Sequence, residues 1–120
     1  MKLTLDITAT DGSARTGTVA TSRGAFRTPI FMPVATKGTI RSLMTHDLAA
    51  LAAADGTAGE VVLGNTYHLM LRPGADVVAD LGGLHRFVGW DQLMLTDSGG
   101  YQVFSLEPKL HDVGAEFRST

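Results

Sequence analysis

Between Lys2 and Thr8 apolar and polar side chains alternate: Leu3, Leu5 and Ile7 fall on one face, and Lys2, Thr4, Asp6 and Thr8 on the other. A period of two predicts a half-covered strand. Asp11-Gly12 is a turn dipeptide, and Arg15–Thr21 reads as the returning strand of a hairpin. Gly24 interrupts the pattern before the next element.

The pattern then changes. Ile30–Ala35 is an almost continuous apolar run, as expected of a strand buried on both faces. Pro33 cannot donate to a ladder and predicts a bulge or an early end to pairing. Thr45 reads as a helix N-cap, with Asp47 well placed near the positive end of the helix. Leu48, Leu51 and Ala52 share one face of that helix, which Asp55-Gly56 closes. Val61–Leu63 is a second short buried strand, ending in Gly64-Asn65. Pro73 and Gly74 open another helix, with Val77, Val78 and Leu81 inward and Gly82-Gly83 as its stop. Leu93–Leu95 is the third strand. From Val103 onward the chain reads as irregular strand or loop, broken at Pro108 and Gly114.

The three buried strands begin at Ile30, Val61 and Leu93, roughly every 30 residues, with a helix in each gap. That is the βαβ period of a parallel sheet or a (β/α)8 barrel. A complete barrel takes ~250 residues. The expectation is therefore an α/β chain holding part of one TIM-barrel domain. Residues 1–24 form an N-terminal hairpin, residues 25–120 form about the first three βα units, and no complete domain boundary falls within 1–120. Each buried strand is followed by polar residues: Thr36-Lys37-Gly38, then Asn65-Thr66-Tyr67-His68, then Asp97-Ser98-Gly99-Gly100-Tyr101. Barrel enzymes assemble their active sites at these strand ends.

Composition narrows the classes. A hydrophobic share of 44% and a net charge of −2 are ordinary for a globular domain. There is no basic stripe of the kind nucleic-acid binders carry. No apolar run approaches the ~20 residues of a membrane helix, and the N-terminus lacks a signal-peptide block, so the chain reads as cytoplasmic and not membrane-bound. With no cysteine there is neither a disulfide nor a thiolate metal site.

The richest stretch is Leu95–Gln102. A short apolar strand stops abruptly in an acid, a hydroxyl, two glycines and an aromatic. Gly99 and Gly100 allow the backbone to approach a ligand. Tyr101 offers a face for stacking. Together with Asp97, these residues suggest a pocket for a flat, hydrogen-bonding heterocycle. Plainer readings stand beside this one. Asp-Ser-Gly-Gly is good turn chemistry, and a tyrosine or His68 at such positions is often part of a core.

Four blocks, Thr28–Val34, Leu63–Gly74, Gly82–His85 and Leu95–Val103, closely resemble the N-terminal third of tRNA-guanine transglycosylases, in the same order. The likeness runs from about Gly17 to the end of the chain, in the bacterial and eukaryotic queuosine-type form. The resemblance implies exchange of guanine at wobble position 34 of tRNAs with a GUN anticodon for a 7-deazaguanine, preQ1 or queuine. A nucleophilic Asp forms a covalent RNA intermediate, by the logic of retaining glycosidases, on a nucleotide turned out of its stack.

By the resemblance, Asp97 is the general acid/base, Tyr101 stacks on the base, and Ser98, Gly99 and Gly100 form the loop that holds Asp97. Asn65 orients that loop, Gln102 is a further pocket group, and Tyr67 and His68 stand behind them. The resemblance also implies a nucleophilic Asp and a structural Zn2+ site of Cys and His ligands, both beyond Thr120, and a homodimer at full length. None of His46, His68, His85 and His111 is expected to bind zinc, so no metal ligand is expected in this chain. Two local departures stand out. Ala54–Gly59 lengthens a helix-to-strand connection, and Gln92-Leu93-Met94 replaces a commoner basic-Pro-apolar sequence. A non-catalytic partner subunit, or an inactive fragment, is the rival reading.

Overall fold

The computed structural model describes residues 3–55 and 60–117. Met1, Lys2 and the Gly56–Gly59 part of the long connection lie outside the described residues.

Three antiparallel strands open the chain: β1 (Thr4–Asp11), β2 (Ala14–Thr21) and β3 (Gly24–Thr28), in the order β1-β2-β3. Here the expected 1–24 hairpin is corrected. Gly24 does not break the pattern but begins a third strand, which pairs Val19 with Phe26 and Gly17 with Thr28. The β1–β2 register slips between Ile7 and Ala9. At that slip only glycine fits position 17, because a Cβ there would lie 2.2 Å from the Asp6 carbonyl oxygen. Leu3 and Phe26 turn towards Met32, Val61 and Leu93–Leu95 across a cleft of about 240 Å³. One edge of the small sheet thus faces the strands of the next sheet that carry Val61 and Leu93–Leu95 across that cleft.

That second sheet is parallel, ordered β4 (Val34–Ala35), β5 (Val61–Gly64), β6 (Leu93–Thr96). The first strand is much shorter than its apolar run suggested, and Phe31 and Val34 are exposed. Pro33 explains this. It has no N–H to give, and it joins the sheet only as an acceptor, from Leu63 N at 3.0 Å.

Helix α1 (Thr45–Asp55) crosses from β4 to β5. Thr45 lies inside the helix and not at its cap. Asp47 Oδ2 accepts the Met44 N–H at 2.8 Å, closing the first turn from within. Leu48 is buried while Leu51, expected on the same face, is 48% exposed.

Between β5 and β6 the single expected helix is three short ones: α2 (Thr66–Leu71), α3 (Ala75–Asp80) and α4 (Leu84–Val88). The sequence reading missed α2 and α4. Gly82-Gly83 does end α3: Gly82 N bonds Ala79 O and Gly83 N bonds Val78 O, both at 2.9 Å, the double closure of a left-handed helix stop. Val77 and Leu81 are nevertheless exposed, so the inward face expected for this helix is not formed among the described residues. A six-residue helix has too few turns to bury a stripe.

The core sits between the parallel sheet, α1 and the end of α4, as a cluster of Ala35, Leu48, Val62 and Trp90 with Ile40, Val88 and Met94 against it. Gly89 in the left-handed region lets Trp90 N reach His85 O, which turns the indole inward, where Nε1 donates to Leu93 O at 3.1 Å. The tail expected to be irregular forms α5 (Gly100–Ser105) and a hairpin of β7 (Lys109–His111) and β8 (Gly114–Glu116). Among the described residues no helix is long and apolar enough to cross a membrane.

Candidate base-binding site

The three polar clusters expected after the parallel strands meet at one end of the sheet. Asn65 N bonds Thr36 O at 3.2 Å, tying the end of β5 to β4. Asp97 N bonds Gly64 O at 3.2 Å, tying the end of β6 to β5. Asp97 is the first residue past β6, so its side chain leaves the sheet where pairing stops.

Its carboxylate is held by three N–H donors, the groups a carboxylate accepts. Asn65 Nδ2 donates to Oδ2 at 2.6 Å. Thr66 N donates to Oδ1 at 2.9 Å, and Gly99 N donates to the same oxygen at 3.2 Å. The Thr66 hydroxyl donates to the Asp97 backbone carbonyl. Asn65 has a second task, because its Oδ1 accepts His68 N at 2.9 Å and caps α2. One amide thus fixes both a helix start and the acid. Gly99, at φ 70° and buried, makes the turn that brings its N–H back onto Asp97. Ser98 Oγ accepts Gly100 N at 3.2 Å and holds the start of α5.

A separate hollow of about 470 Å³ lies alongside, lined by Tyr67, His68, Leu71, Tyr101, Gln102 and Phe117 among others. Tyr67 packs on Phe117 with ring centres 4.7 Å apart and meets His68 edge-on at 5.5 Å. Tyr101 is 75% exposed and open to a stacking partner. The structure therefore sorts the expected residues into two groups. Asn65, Asp97 and Gly99 form the held acid. Tyr67, His68, Tyr101 and Gln102 border the aromatic hollow, so Tyr67 and His68 stand on its wall and not against Asp97.

A family model described as queuine tRNA-ribosyltransferase matches residues 10–120. The chain belongs to the queuine tRNA-ribosyltransferase family. Relatives of that name include those of Cereibacter sphaeroides, 52% identical over 120 residues, Lawsonia intracellularis, 53% over 118, and Novosphingobium aromaticivorans, 52% over 120. These alignments cover 98%, 97% and 98% of this chain but 30% of each relative. The chain thus spans about three-tenths of the length of the relatives it matches.

Sequence reasoning placed Thr66 in the cluster after the second strand but gave it no role. Its signal lay in the strand register, which a motif does not display. Leu71 and Phe117 were missed, and isolated apolar residues give no such signal. A cysteine-rich zinc site does not fit this chain. The sequence has no cysteine, and no cluster of three metal-binding side chains exists among the described residues.

Proposed function

We propose that this chain supplies the base-handling acid of a tRNA-guanine transglycosylase, an enzyme that exchanges guanine at wobble position 34 of tRNA for preQ1 or queuine. The observation that carries the reading is the Asp97 carboxylate at the end of β6, fixed by Asn65, Thr66 and Gly99 beside the hollow that Tyr101 borders. A purine leaves poorly as an anion, and a positioned carboxyl lowers that barrier by giving it a proton. The same group accepts the proton of the incoming base. Tyr101 provides the stacking face, and Gln102 stands next to it as a hydrogen-bonding group.

In this reading the remaining machinery lies in the rest of the enzyme: the nucleophilic Asp of the covalent intermediate, the structural zinc, the further strands of a (β/α)8 barrel and the homodimer contact. The protein works on tRNA with a GUN anticodon, in the cytoplasm. What supports the reading is family membership together with the placement of polar residues at the ends of three adjacent parallel strands.

The test is incorporation of labelled guanine into cognate tRNA by the full-length gene product, compared with its Asp97→Ala variant. A loss of at least about 100-fold in rate is expected. Exchange by the variant at the parent rate would overturn the proposal. Failure of the parent itself to exchange guanine would favour a non-catalytic partner role.

A further inference from the structure

The β5–β6 ladder has a regular count. Leu93 N bonds Glu60 O and Asp97 N bonds Gly64 O, each at 3.2 Å, so alternate residues of β6 face β5 with their hydrogen-bonding groups. In a parallel ladder, a residue that donates to one position accepts from the position two further on. For Asp97, which donates to Gly64, the regular donor to its carbonyl is the Thr66 N–H. That is not what is found. The Thr66 N–H goes to the Asp97 carboxylate, and the carbonyl is taken by the Thr66 hydroxyl.

We propose that Thr66 is a positioning residue for Asp97: its hydroxyl stands in for its own N–H in the ladder, and the N–H so released holds the carboxylate. The inference rests on the reading that Asp97 handles the base. A residue without a β-hydroxyl cannot make this substitution. Its N–H is drawn back to the unsatisfied carbonyl, because a backbone acceptor left without a donor is costly. Oδ1 then keeps only Gly99 N, at 3.2 Å, and the carboxylate hangs on Asn65 Nδ2 at Oδ2 with that one longer bond at Oδ1. The sheet loses little, since an N–H bond to the carbonyl replaces the hydroxyl one, but the acid is held by two donors instead of three and Oδ1 is less firmly aimed. Serine carries the same hydroxyl and restores the arrangement.

The experiment uses the full-length gene product and its Thr66→Val, Thr66→Ser and Asp97→Ala variants. Thr66→Val is expected to lower kcat for guanine exchange by about tenfold to a hundredfold with KM within about twofold, since orientation acts on the chemical step. Thr66→Ser is expected within about threefold of the parent. A crystal structure of Thr66→Val is expected to show the residue-66 N–H on the Asp97 carbonyl and Oδ1 turned away. Loss of exchange in Asp97→Ala with an unimpaired Thr66→Val overturns this inference alone, as does a serine variant as slow as valine. Full exchange by Asp97→Ala overturns the functional reading instead. The Thr66→Val crystal structure then decides the ladder substitution by itself, and an unmoved carboxylate refutes it.

Discussion

Asn65→Ala removes two hydrogen bonds with one truncation, and their sizes can be set apart. The first is the cap of α2, from His68 N to Oδ1 at 2.9 Å, worth about 1 kcal/mol. The second runs from Nδ2 to Asp97 Oδ2 at 2.6 Å; a bond to a charged group contributes about 1.5–3 kcal/mol, and its half-buried setting argues for the low end. The expected cost is therefore about 2.5 kcal/mol, or a urea midpoint lowered by about 1–2 M. Asn65→Asp separates the two terms. Aspartate caps a helix as well as asparagine, but it presents an acceptor to Asp97 where a donor stood. It should still cost about 1.5 kcal/mol or more, all of it from the second contact. Unfolding can be followed through Trp90, the single tryptophan of the sequence, which is 3% exposed. An Asn65→Asp variant within about 0.5 kcal/mol of the parent would refute the reasoning, because the bond to Asp97 would then contribute nothing.

Further outcomes are expected. Gly38→Ala should destabilise by about 1–3 kcal/mol in the same assay, since Gly38 sits at φ +83° and a Cβ would meet Val88 Cγ2 at 2.4 Å. An unchanged midpoint would mean that position 38 is not packed against Val88. Leu48→Ala should cost about 2–5 kcal/mol and Leu51→Ala less than about 0.5 kcal/mol, because the first is 5% exposed and the second 48%. Equal losses would contradict the facing of α1. Breaking the exposed His111–Glu116 contact of 3.4 Å with Glu116→Gln should move the midpoint by less than about 0.5 kcal/mol, and a larger shift would show that the β7–β8 hairpin depends on it.

Much of this arrangement is legible in the sequence, for identifiable reasons. The parallel strands at Val61 and Leu93 are short apolar runs closed by glycine and polar residues; the first is buried as its pattern predicts, whereas in the second Leu93 and Met94 are half-buried and Leu95 is exposed. Asp97 and Asn65 could be placed at adjacent strand ends because the strand period fixes where pairing stops. The apolar run Ile30–Ala35 overstates its strand, and Pro33, which lacks the donor that pairing needs, is the residue in it that signals curtailed pairing. The helices α2 and α4 are too short for a periodic signal; Asn65 caps the first, and the second starts after Gly83 without a side-chain cap. Leu51, Val77 and Leu81 fit a helical face and yet are exposed, because burial depends on a neighbour that periodicity does not name. The double role of Thr66 is hidden because it depends on a hydrogen-bond count between strands some thirty residues apart.

The bonds that join Asn65 and Thr66 to Asp97 also bear on how such a site can be inherited or transplanted. The acid and its supports belong to two separate stretches of the gene, and neither stretch is sufficient alone. A recombinant that takes the Thr96–Ser105 segment from one relative and the Gly64–Leu71 segment from another remains sound only where the second keeps an amide at 65 and a hydroxyl at 66. The modular unit of this end of the sheet is thus a pair of loops, and a graft of the acidic loop by itself carries the carboxylate without its holder.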